Sequence, residues 1–181
     1  MSLRHALLGL IDLESGSGYD LVQRIRHSIG FFWPASHQQI YRELHSLSAE
    51  GYLQSLTEIQ THRPDRHIYS LTAAGANELE QWLAQDSAPA KIRDPFLLRV
   101  FTAHRFTGEV FLQQIEKQKN IHTETLKLYE KLADKMQQWP EAKRYRYRFA
   151  RHTLQLGIYF EHAWLQWCNE LLELMTEKNN C

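Results

Sequence analysis

The sequence predicts a mainly α-helical chain that carries one small β-hairpin. Three observations predict it. Residues 36–51 read as a short helix with both of its ends marked. Two runs rich in Tyr, Leu, Thr and Ile, Tyr52 to Gln60 and Arg66 to Leu71, flank a turn that contains Pro64 and read as paired strands. Past a polar linker, apolar residues recur at helical spacing almost to the end.

The bounds on function come from composition. The chain has 181 residues, 43% of them hydrophobic, enough for one or two domains with a core. No apolar run approaches the ~20 residues of a membrane span. The start, Met-Ser-Leu-Arg-His, has no apolar leader, so a cytoplasmic protein is expected. Cys168 and Cys181 form no metal motif. No zinc ligand set, nucleophile elbow or phosphate loop is present, so neither catalysis nor a cofactor is expected.

Taken in order, Leu3 to Leu13 forms a first helix, apolar at Leu3, Ala6, Leu7, Leu10 and Ile11. Glu14-Ser-Gly-Ser-Gly18 breaks it and reads as a helix–helix turn. Tyr19 to Ile29 is a second helix, with Leu21, Val22, Ile25 and Ile29 inward, and Gly30 ends it. Pro34 keeps the incoming chain extended at Trp33. Ser36 then caps the third helix, and Gln39 three residues on completes a capping box. Ile40, Leu44 and Leu47 make its apolar face, and Gly51 stops it with a positive φ. Two short helices joined by a brief turn make a helix-turn-helix.

The opposite face of the third helix carries His37, Gln38, Tyr41, Arg42, His45 and Ser46. Such side chains can bond to base edges and phosphates while the apolar face holds the helix down. The hairpin after it makes the unit a winged helix. The tip Thr61-His-Arg-Pro-Asp65 and its flank offer Arg63 and Arg66 to phosphate or the minor groove. Thr72 caps a fourth helix, Ala73 to Ala84, with Leu79, Trp82 and Leu83 apolar.

Three stretches are expected: a winged helix-turn-helix for DNA over residues 1–84, a linker over 85–93, and a helical dimerisation domain over 94–181. In the last, Asp94 caps a helix with Pro95 at its first position. A second helix starts at Thr107-Gly108 and runs to Trp139, with Pro140 behind it. Glu141 to Met175 reads as one final helix. On it Phe149, Thr153, Leu156, Phe160, Ala163, Trp167, Leu171 and Leu174 follow the spacing of a coiled-coil seam. Tyr159, Trp164 and Leu172 widen that stripe, which implies several partners, a second subunit among them. The basic and aromatic run Lys143 to His152 suits a grip on a nucleic-acid backbone, but reads first as a charged face with arginine stems over rings.

Charge speaks against nucleic acid. Residues 1–90 hold six arginines, no lysine and ten acids, a net of −4, whereas a DNA-binding half is usually basic. A winged module that binds protein instead of DNA therefore stays open beside the DNA-binding reading.

As a set, these residues resemble the PadR-type transcriptional regulators. The matching stretches are Ala6-Leu-Leu-Gly-Leu, Gly18-Tyr-Asp-Leu, Ile40-Tyr-Arg-Glu-Leu, Glu50-Gly-Tyr-Leu, Tyr69-Ser-Leu-Thr-Ala-Ala-Gly75 and, in the second half, Glu161-His-Ala-Trp-Leu165. The resemblance implies a homodimeric repressor released by a small ligand, and such a dimer is expected to bind a pseudo-palindromic duplex. Aromatic side chains suit a flat effector. Trp33, before the third helix, and Tyr159, Trp164 and Trp167 on the last helix are the expected effector residues, in a pocket between the two parts.

Overall fold

The computed structural model describes residues 3–30, 32–59, 66–89, 91–105 and 108–177. The chain forms two compact units, Met1–Ser87 and Ala88–Cys181.

The first unit contains α1 (Leu3–Leu13), β1 (Gly16–Ser17), α2 (Gly18–His27), α3 (His37–Ala49), β2 (Leu53–Glu58), β3 (Arg66–Leu71) and α4 (Ala73–Leu83). Its core is Leu7, Leu8, Ile11, Leu21, Val22, Ile25, Ile40, Leu44, Leu47 and Leu53. These are the apolar faces of α1, α2 and α3 at 3-4 spacing, closed from below by the start of β2. Gly51 at φ 80 supplies the left-handed residue that releases the chain from α3. The sheet is antiparallel in the order β1-β3-β2, with Leu53 opposite Leu71 and Glu58 opposite Arg66.

β1 differs from the expectation, which read Glu14 to Gly18 as a plain turn. Gly16 and Ser17 pair with Tyr69 and Ile68, so the helix-turn-helix is sewn to the wing by a third strand. Two residues have no period to read, and their pairing depends on a partner ~50 residues away. Helix α2 starts at Gly18, because Ser17 and Asp20 form a reciprocal cap. Of the apolar residues of α4, Leu79 packs against the core, and Leu83 is 67% exposed.

The second unit contains α5 (Pro95–Phe101), a 3-10 turn (Ala103–Arg105), α6 (Glu109–Gln137), α7 (Glu141–Arg146) and α8 (Arg148–Glu177). Asp94 caps α5 through the amides of Phe96 and Leu97. α6 and α8 run antiparallel: Arg151 bonds Gln137 near one end, and His122 bonds Glu161 in the middle. At the other end Phe111 and Ile115 share a core with Cys168, Leu171 and Met175.

Two expectations for the last helix are corrected. It is not continuous from Glu141, for the chain turns at Tyr147. No proline or glycine marks that break. Tyr147 instead turns edge-on to Trp139, 5.1 Å between ring centroids, with Lys143 over both rings. Tertiary packing therefore decides the break. The seam is also displaced. The side chains that α8 buries are Leu154, Ile158, Glu161, Cys168, Leu171 and Met175. Of the expected seam, only Leu171 lies inside, with Trp167 at its edge, while Phe149, Leu156, Phe160 and Leu174 face outward.

Candidate nucleic-acid interface

Helix α3 is fixed at its start by the reciprocal bonds of Ser36 and Gln39: the Gln39 amide donates to Ser36 Oγ at 3.2 Å, and the Ser36 amide to Gln39 Oε1 at 2.8 Å. Its inner face, Ile40, Leu44 and Leu47, is almost wholly buried. With the helix held on one side, His37, Gln38, Tyr41, Arg42 and His45 form one exposed row. Arg42 makes no ion pair among the described residues. Ser46, by contrast, donates to Glu50 at 2.7 Å and belongs to the end of the helix.

No acid lies in that row. Glu43 and Glu50 turn to Arg4 on α1, at 3.7 and 2.5 Å. The Ser46 hydroxyl, together with Arg4, holds the Glu50 carboxyl below the usual range. Glu14 pairs with Arg24, Asp20 with Arg66, and Glu78 with His5. Five of the ten acids in this half thus stand in pairs away from the row, and the exposed row of α3 carries no acid.

Tyr41 has two roles in the geometry. Its ring lies against Gly18, where any β-carbon would collide with it. It also neighbours Tyr69 of β3, whose phenol is pushed up by burial and by Tyr41. The rest of the Tyr41 side chain remains exposed.

The wing splits the two arginines expected there. Arg63 lies outside the described residues. Arg66 is half-buried, and its guanidinium bonds the Asp20 carboxylate. His67 sits beside it on β3, bonded to Thr57 at 3.2 Å.

Of the four aromatic residues expected for an effector, three lie on α8 of the second unit. Trp33 belongs to the first unit, with its amide bonded to the Ile29 carbonyl. Tyr159 is exposed on α8. Trp164 and Trp167 do meet, 5.3 Å between centroids, and Phe160 lies 5.8 Å from Trp164. Trp164 Nε1 is buried with no hydrogen-bond partner. The same ring lies 4.7 Å from the ring of His122, whose Nδ1 is 2.5 Å from buried Glu161. Burial, with a contribution from Glu161, pushes the neighbouring Tyr129 phenol up to about 12. Sequence reasoning missed this buried His–Glu pair. A seam read one residue later along α8 places Glu161 inside and asks for a partner. A recess of about 350 Å³ between α5 and α6, lined by Phe96, Arg99, Gln114 and Lys117 among others, contains none of the four aromatics. Among the described residues no three His, Cys, Asp or Glu converge on a metal position.

Comparison with known proteins decides the family. Residues 7–81 match the transcriptional regulator PadR-like family, and residues 92–176 match the virulence activator alpha C-terminal family. The negative transcriptional regulator PadR of Bacillus subtilis strain 168 is 33% identical over 135 residues, 72% of this chain and 74% of its own. The chain belongs to the PadR-like family of transcriptional regulators.

The crystal structure of Bacillus subtilis PadR in complex with operator DNA has a TM-score of 0.82, at 26% identity, over 95% of this chain and 97% of that one. The structure of the same regulator with p-coumaric acid has a TM-score of 0.75, at 23% identity, over 96% and 95% of the chains. The PadR fold therefore extends through both units. Residues 7–81 of the PadR-like match hold α3 and its exposed row. No helix among the described residues is long and apolar enough to cross a membrane.

Proposed function

We propose that this PadR-family regulator acts as a homodimer that binds a pseudo-palindromic DNA operator through α3 and represses transcription until a small aromatic effector releases it. The observation that carries the reading is the row His37, Gln38, Tyr41, Arg42 and His45, exposed and free of acids on a helix whose other face is fully buried. Gln and Arg are the side chains that pair bidentately with adenine and guanine in the major groove. Two such helices must reach successive grooves about 34 Å apart, which requires two protomers.

A second copy suits the outward face of α8. Phe149, Leu156, Phe160 and Leu174 are 52–72% exposed, at helical spacing along one face. An apolar stripe of that length favours association over exposure to water. Repression and release rest on the relative. Bacillus subtilis PadR is a negative regulator, solved with operator DNA and with p-coumaric acid. The aromatic pair Trp164 and Trp167, with its unpaired indole N–H, supports a ligand of that class, which brings both a ring and oxygen acceptors. The reading assigns the protein to the cytoplasm and gives it no catalytic step.

A gel shift on the duplex flanking its own gene, with scrambled duplex as competitor, tests it. A shift that resists the competitor and reverses with a phenolic acid is expected. A shift lost to the scrambled competitor removes the operator claim, and one untouched by phenolic acids removes the effector claim.

A further inference from the structure

We infer that Arg66 is a positioning residue for DNA binding: it fastens the wing to the helix-turn-helix through Asp20 and does not itself contact phosphate. The inference rests on the DNA-binding reading above and concerns how the wing is aimed.

The starting point is the cap of α2. Ser17 donates to Asp20 Oδ2 twice, from its amide at 2.8 Å and from its hydroxyl at 2.9 Å, and Ser17 Oγ accepts from the Asp20 amide at 3.2 Å. That cap closes α2 by local chemistry alone. Arg66 then donates to the same Oδ2 from the first residue of β3. A carboxylate already fixed in orientation by Ser17 therefore receives the wing strand.

Three elements meet here. Ser17, 4% exposed, is opposite Ile68 in the β1–β3 ladder, two residues along from Arg66. Gly18, the next residue, carries the Tyr41 ring of α3. The wing strand is thus tied to α2 by the short ladder and by the Arg66–Asp20 pair. The same turn of α2 sets the place of the recognition helix. β2 offers no comparable anchor beyond Leu53, since Gln54 to Glu58 are all exposed. Tyr69 and Leu71 pack the near end of β3 on the core, and the Arg66–Asp20 pair adds a tie at its far end, beyond the two ladder residues.

The electrostatics agree with the geometry. Burial would raise the Asp20 carboxyl, but the Ser17 amide and hydroxyl and the Arg66 guanidinium hold it below its usual value. The carboxylate is therefore charged at neutral pH. A guanidinium that leaves Asp20 for a phosphate exposes that negative charge beside the DNA backbone, which opposes binding. The pair is half-solvated, with side chains 40% and 30% exposed, so it contributes more to the direction of the wing than to global stability.

The test is operator affinity over a salt series for the whole protein, wild type beside Arg66→Ala, Asp20→Asn, the double variant and Arg66→Lys. Both single variants should weaken binding by about two- to five-fold, the range an exposed ion pair supports. The double variant should be no weaker than either, and Arg66→Lys should retain most of the affinity. The salt slope of Arg66→Ala should equal that of wild type. A slope smaller by about 0.9 marks a lost phosphate contact and overturns the inference. Asp20→Asn binding as tightly as wild type, or more tightly, overturns it too, because an acid that merely competes for Arg66 gives that sign. Wild type that binds no duplex overturns the DNA-binding reading and this inference with it.

Discussion

Gly75 shows what a single residue does in this fold. Thr72 caps α4 by accepting from the Gly75 amide at 3.1 Å, and its hydroxyl donates toward the Gly51 and Tyr52 carbonyls, at 2.8 and 3.0 Å. The turn after α3 is thereby drawn against the start of α4, so closely that a β-carbon on residue 75 would collide with the Tyr52 carbonyl and the Leu71 side chain. Backbone cannot step aside as a side-chain tip can. Gly75→Ala should therefore destabilise by about 1–3 kcal/mol, an overpacking cost, and lower the thermal midpoint by roughly 2–12 °C. A melt followed by circular dichroism reads this, and an unchanged midpoint would mean that α4 slides freely. The glycine is visible in the sequence, but its reason is not, since the clash is with a carbonyl 23 positions earlier in the chain. The caps were legible because their chemistry spans three residues: Ser36 with Gln39, Thr72, and Asp94 before Pro95.

At the scale of the element, α8 divides what was legible from what was not. Its helical period is plain, and so is a stripe too wide for one partner. Which side of the stripe packs inside the chain is not, because apolar residues at 154, 156, 158 and 160 serve two seams about a quarter-turn to a half-turn apart. The structure gives the 154–158 side to α6 and leaves the 156–160 side outward. Buried Glu161 sits on the inner side and takes His122, which a purely apolar seam would not require. The outward side is the one proposed for a second copy. Leu156→Glu with Phe160→Glu should then leave helix content unchanged and convert the species in light scattering from twice the 21.4 kDa chain mass to one chain mass. A double variant that remains a dimer places the interface elsewhere. β1 was illegible for the opposite reason, being too short to have any period.

For the whole molecule, the net charge of zero and the acidic first half pointed away from DNA. The fold answers this by placement. Four of the acids that make up the deficit stand at junctions: Glu43 and Glu50 bind α3 to α1 through Arg4, Asp20 holds β3, and Glu78 meets His5 between α1 and α4. What remains on α3 is a neutral-to-basic row, so the proposed reading assigns little of the affinity for DNA to net charge and most of the discrimination to base contacts. The most direct measurement is the affinity of wild type and Arg42→Ala for the operator and for a scrambled duplex at one salt concentration. The expected result is a loss of about 1–3 kcal/mol on the operator, preference relaxed at one base pair per half-site, and little change on the scrambled duplex. An equal loss on both duplexes would make Arg42 a backbone contact and contradict base reading by this face of α3.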